Sequence, residues 1–118
     1  MHELSLAEKI NNTIKELCER SAWTRVRRVV VKVGHMRQVD PELLSFAFEV
    51  VAKGTVSENA EISVLELPII FMCHSCGKET GSEETVFICA SCGSTNVELR
   101  SGIELTIESM EVESRQVL

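Results

Sequence analysis

At 118 residues, the chain has the length of one domain, or of one domain with a small appendage. Hydrophobic residues make up 44% of it, which argues against disorder, and with 4% aromatics and no Tyr the core has to be aliphatic. A formal charge of −6 repels nucleic acid and anionic membranes on average, and no apolar run nears the roughly 18 residues of a membrane span, so neither is expected as a partner.

The first residues, Met1-His2-Glu3, lack the basic and then apolar stretches of a signal peptide. That points to the cytoplasm, where clustered cysteines stay reduced and hold metal more often than they pair. From Leu4 to Ala22, Ala7, Ile10, Ile14, Leu17 and Cys18 recur at helical spacing. Ser5 and Glu8 fit a capping box, which predicts a helix start within a residue or two of Ser5. Cys18 reads as a small apolar residue on the inner face of this helix. The run VRRVVVKV from Val26 to Val33 predicts a strand, with Val29, Val31 and Val33 on one face and Gly34 at its end. Arg25, Arg27, Arg28 and Lys32 form a basic cluster that reads as the strand's solvated face. His35, just after the strand, reads as a turn-packing residue.

Asp40-Pro41 predicts the N-cap and first turn of a second helix, running to about Lys53 and stopped by Gly54. Glu42, Ser45, Glu49 and Lys53 make one narrow polar stripe, and almost everything else is apolar. Such a helix is buried on more than one side or serves an interface, and the candidates to cover it are the cysteine module or another protomer in a homodimer. AEISVLEL from Ala60 to Leu67 predicts a strand parallel to the first. IELTIESMEV predicts a last strand returning to the same sheet, with Ile103, Leu105 and Ile107 inward. The expected fold is α+β: a small mixed three-stranded sheet with two helices, formed by residues 1-68 and 99-118, plus an inserted zinc-ribbon-like module at residues 69-98.

That insertion holds two CxxCG knuckles: Cys73, Cys76, Cys89 and Cys92, spaced C-x2-C-x12-C-x2-C. Two residues between cysteines let one tight turn aim both sulfurs at one ion, and Gly77 and Gly93 stand where positive φ often closes such a turn. Two turns complete a tetrahedral S4 site. Two adjacent disulfides are the plainer alternative. S4 suits zinc or iron, and with only Phe71 and Phe87 nearby the aromatic shell of a rubredoxin-like electron carrier is thin, so structural zinc is expected. A closed four-ligand zinc folds a small module and does no catalysis. The loop KETGSEET carries three glutamates and one lysine, which counts against a nucleic-acid ribbon, although a zinc-ribbon interaction module without a second metal stays open. His74, inside the first knuckle, reads as solvent-facing. With no hydrolase triad, P-loop or dinucleotide fingerprint, the chain is not expected to be an enzyme.

The start of the chain offers a second ligand set. His2 is large, so trimming of Met1 is disfavoured. The Met1 amine, the His2 amide and imidazole nitrogens and the Glu3 amide can close a square plane suited to Ni(II) or Cu(II). A frayed tail is the bland alternative.

Taken together, MHELSLA at the start, a strand ending VKVG, the helix PELLSFAFEVVAKGT and the paired CxxC before a final strand resemble the HypA family, up to about Glu113. The resemblance implies a nickel metallochaperone for [NiFe]-hydrogenase maturation, serving urease in some organisms. It implies nickel at His2 with neighbouring main-chain nitrogens and help from Glu3, and zinc at the four cysteines. It implies the maturation GTPase HypB and the hydrogenase large subunit as partners.

Overall fold

The structure is a computed structural model that describes residues 2–82 and 87–114. Helix α1 spans His2–Ser21 and strand β1 Trp23–Gly34; a 3-10 turn, His35–Arg37, leads to α2, Pro41–Ala52. Strands β2 (Glu61–Leu67), β3 (Ile69–Cys73), β4 (Glu79–Ser82), β5 (Val97–Ser101) and β6 (Leu105–Ser114) follow. There are two three-stranded sheets, ordered β2-β1-β6 and β4-β3-β5.

The first sheet is the expected one. Arg28 pairs with Glu61 and His35 with Glu66, so β1 and β2 advance together and are parallel. Thr24 donates to the Glu113 carbonyl and the Gly34 amide to the Glu104 carbonyl, so β6 runs the other way. Val26, Val29, Val31 and Val33 are buried, while Arg27 and Arg28 are both exposed between the first two, so strict alternation begins only at Val29. Contacts group the chain into two compact units: Met1–Val31 with Val39–Leu65 and Ile107–Leu118, and Lys32–Gln38 with Glu66–Thr106.

In the first unit, α1 packs on α2. Leu6, Ala7, Ile10, Ile14 and Cys18 are buried at helical spacing, and burial pushes the Cys18 thiol up, as suits a small apolar core residue. Asn11 shares that face and donates to the Val51 carbonyl, tying α1 to the last turn of α2. Asp40 caps α2 as expected, its carboxylate accepting the Glu42 and Leu43 amides, with Pro41 in the first turn. Leu44, Ala47, Phe48 and Ala52 are buried, but Leu43, Phe46 and Val50 are exposed. Of the two expectations for α2, burial on more than one side or service at an interface, the first is not met within the chain: one apolar side is buried and the other is open.

Two boundaries differ from the sequence reading. Helix α1 starts at His2, so Ser5 lies inside its first turns and is not an N-cap. The acidic side chain near the start is Glu3, which suits the positive end of the helix, and its carboxylate accepts the Asp40 amide at 3.2 Å. Ile103 is 57% exposed and lies outside β6, not inward. Gly102, at φ 121, turns the chain there, and an added Cβ at Gly34 would meet the Gly102 carbonyl at 2.1 Å. The chain therefore kinks against Gly34 before the alternating pattern can begin at Leu105.

Candidate metal centre

The second sheet exists to carry the cysteines. Its middle strand, β3, pairs antiparallel with β4 (Phe71 opposite Thr80) and with β5 (Phe71 opposite Leu99). Ile69, Phe71 and Cys73 alternate inward and are buried, so the strand that builds the module's core ends on the first ligand. Phe71 meets Phe87 edge to face, with ring centroids 5.8 Å apart, two residues before the third ligand, Cys89. The aromatics near the site thus pack the strand beneath it.

The two knuckles are built alike. The Cys73 amide donates to the Lys78 carbonyl and the Gly77 amide to the Cys73 carbonyl; the Cys89 amide donates to Ser94 and the Gly93 amide to Cys89, at 2.8–2.9 Å throughout. Gly77 and Gly93 have φ of 78° and 73°, the left-handed backbone the spacing called for. The knuckles are joined by the His74 amide donating to the Asn96 carbonyl and by the Ser75 and Ser94 hydroxyls at 3.1 Å.

The result brings all four cysteines together. Their sulfurs lie within 4.8 Å of one another, and among the described residues they are the one such group of His, Cys or acidic side chains. All four are free thiols, with Cys73 to Cys92 and Cys76 to Cys89 both at 3.6 Å. A tetrahedral zinc with bonds of about 2.3 Å sets its sulfurs about 3.8 Å apart, so the donor set fits such an ion. Cys73 and Cys89 are buried, while Cys76 and Cys92 are exposed.

The backbone also prepares the charge. The amide of Cys76 points at the Cys73 sulfur; burial opposes it, but the Ser75 amide and the Cys92 and Cys76 thiols assist, and together they hold Cys73 down at about 6. The amides of Cys92 and Ser91 lower Cys89 in the same way. The Ser94 amide pulls Cys92 down, but proton sharing with Cys73 and Cys89, with burial, outweighs it and pushes this thiol up to about 12. The first cysteine of each knuckle is thus shifted toward the thiolate, and Cys92 toward the protonated thiol whose proton a bound cation would displace.

The other candidates are dispersed. His74 is exposed and contributes its backbone to the knuckle. His35 sits in the 3-10 turn with Nδ1 3.7 Å from Glu66, both partly exposed. Of the basic cluster, Arg27 pairs with Glu113 and Arg28 with Glu61 at 3.0 Å, and Arg25 is exposed, which is a solvated strand face. Met1, and at His2 the side chain, lie outside what the structure describes; Glu3 is half-buried, its carboxylate on the Asp40 amide. Sequence reading missed Asn11, and its signal was positional, since residue 11 falls between Ala7 and Ile14 on the buried face.

A family model described as hydrogenase/urease nickel incorporation, metallochaperone, HypA, matches residues 1–112. A hydrogenase maturation factor HypA from Rhodobacter capsulatus is 35% identical over 112 residues, covering 95% of this chain and 99% of that protein. One from Legionella pneumophila (strain Lens) is 34% identical over 113 residues, covering 96% and 100%. Among solved structures, the solution structure of the Ni metallochaperone HypA from Helicobacter pylori superposes with a TM-score of 0.72 at 24% identity, covering 98% of this chain and 100% of that one. At that identity the likeness is one of fold. No described helix is long and apolar enough to cross a membrane.

Proposed function

The chain belongs to the HypA family, and from that premise we propose that it is a nickel metallochaperone for hydrogenase maturation, carrying Ni(II) at its N-terminus and structural zinc at Cys73, Cys76, Cys89 and Cys92. The match to a nickel-incorporation family over residues 1–112 carries this reading. The chain is a carrier, not an enzyme, and nickel is its cargo. Its partners are the GTPase HypB and the hydrogenase large subunit, with urease as a further client, and it works in the cytoplasm. The nickel-binding α/β domain carries the β2-β1-β6 sheet with the two helices, and the zinc-binding domain carries the β4-β3-β5 sheet with the cysteines.

Nickel is held by the Met1 amine, the His2 amide and imidazole and the Glu3 amide, with Met1 as the free amine. Two facts support this. Helix α1 begins at His2, and first-turn amides have no acceptor within their own helix, so the His2 and Glu3 amides can be given up to a metal without breaking a helical bond. The positive end of a helix also disfavours a bare cation, but two deprotonated amides neutralise Ni(II) and remove that penalty. The Glu3 carboxylate, engaged with Asp40, then fixes the tripeptide's position and leaves ligation to its amide. A site at a chain end can be taken apart without unfolding a core, and micromolar binding, about −8 kcal/mol, leaves room for transfer to a tighter client site.

The test is nickel titration of the zinc-loaded chain beside a form with one residue added ahead of Met1. The extension turns the amine into an amide and should abolish binding. Equal affinity in both forms would place nickel elsewhere.

A further inference from the structure

We propose that Ser94 is a positioning residue of the cysteine centre, whose hydroxyl sets one knuckle against the other and so decides how firmly the site holds its ion. This role rests on zinc as the ion of the four cysteines, and adds to them a side chain that is not a ligand. The bonds from the first cysteine of each knuckle, Cys73 to Lys78 and Cys89 to Ser94, stay inside one turn. The sulfurs that approach to 3.6 Å, Cys73 with Cys92 and Cys76 with Cys89, belong to different turns. Their spacing therefore depends on what ties the two turns together.

Lys78 and Ser94 hold matching places, since each accepts through its carbonyl the amide of the first cysteine of its knuckle. Lys78 brings no hydroxyl there, and Ser94 does. The half-buried Ser94 Oγ accepts the Asn96 amide at 3.1 Å and meets Ser75 Oγ at 3.1 Å. The Asn96 carbonyl in turn accepts the His74 amide at 2.9 Å. His74 and Ser75 are neighbours in the first knuckle, so these contacts close a ring across the two turns through one oxygen. The Ser94 amide meanwhile serves the Cys92 sulfur. Every polar group of Ser94 is thus committed to the centre. Removing the hydroxyl leaves both turns their backbone bonds and all four sulfurs, and frees one turn to shift against the other. Groups that orient ligands in this way matter to metal retention although they never touch the metal.

The test follows zinc loss from the full zinc-loaded chain to a colorimetric chelator, with circular dichroism confirming that each variant is folded. Ser94→Ala should release zinc about tenfold faster than wild type. Ser75→Ala, at an exposed position and losing only one contact of the ring, should release it about threefold faster. The double variant should be no faster than Ser94→Ala alone, because that change already removes the partner of Ser75. Ser94→Thr keeps the hydroxyl and should stay within about twofold of wild type, which separates this role from a general loss of stability. With Co(II) in place of zinc, the visible bands of Ser94→Ala should move from those of wild type, since they report how the sulfurs stand around the ion. Additive single variants, a failed rescue by Ser94→Thr or unmoved cobalt bands would overturn the proposal. A wild-type chain that takes up no zinc would overturn the zinc reading with it, whereas zinc held equally long by every variant would overturn the role of Ser94 alone.

Discussion

The four cysteines and the N-terminal tripeptide are the two sets of metal ligands proposed for this chain, and they differ in how far they are gathered before an ion binds. The cysteines are gathered before any ion arrives. A buried strand delivers Cys73, two matching turns aim the sulfurs, and backbone amides lower Cys73 and Cys89. The proposed nickel set is gathered by its ion. It takes its nitrogens from the start of α1, beside the Glu3 carboxylate that accepts the Asp40 amide. The contrast is what a chaperone needs: a resident metal bound by many fixed donors holds the module together, while a cargo bound by few can leave.

The largest effect should come from removing a zinc ligand. Cys73→Ser should lower zinc affinity by on the order of a thousandfold and loosen residues 69–101, because this sulfur ends the buried strand β3. Cys92→Ser, at an exposed position, should cost zinc as well but disturb the strands less. Zinc content with amide exchange across β3, β4 and β5 reads both. Equal disturbance by the two variants would break the link between burial and preorganisation.

Acid should act next. In the zinc-free, reduced protein, Cys73 is held at about 6 against an ordinary 9.0, so the unfolded chain binds more protons between those values. That contribution to stability is complete above pH 9, declines as pH falls and is gone below 6; the lowered Cys89 acts in the same sense. Cys92, pushed up to about 12, acts in the opposite sense above 9, where the unfolded chain would ionise it more readily. Urea melts of the zinc-free protein should therefore show greatest stability near pH 9. A flat profile from 6 to 9 would mean that the turn amides do not prepare the thiolates.

A smaller effect is expected at the other set. Glu3→Gln keeps the amide nitrogen and weakens the contact with Asp40, so stability should fall by about 1 kcal/mol and nickel affinity by a few-fold. Complete loss of nickel binding would make the carboxylate itself a ligand. Thermal melts and nickel titration together decide between these.

Much of this was readable from the sequence where the signal is local. The Asp40-Pro41 cap, the β-branched run at Val29–Val33 and the C-x2-C spacing each depend on a few neighbouring residues, and each appears as expected. What escaped depends on residues distant in the chain. The position of Ile103 is decided by Gly102 packing against Gly34, a contact across many residues with no pattern of its own. Helix α1 starts at His2, ahead of the Ser5 motif that local rules favour, and its first-turn Glu3 meets Asp40, a residue distant in the chain. The second sheet was read only as two CxxCG knuckles in a zinc-ribbon-like module, because ETGS in β4 is short, polar and broken by a glycine, although Val97 and Leu99 in β5 do alternate. The opposite sides of α2 have nearly the same composition, so hydropathy could not tell the buried Phe48 from the exposed Phe46.

The central claim is that cargo nickel and resident zinc use separate ligand sets, one at the chain's start and one at the cysteines. Isothermal titration of zinc-loaded wild type and His2→Ala with Ni(II), with zinc measured before and after, tests it most directly. The account predicts that wild type binds one nickel with release of protons, that His2→Ala binds none, and that both keep their zinc. Nickel binding by His2→Ala as tight as wild type, or zinc displaced as nickel enters, would contradict it.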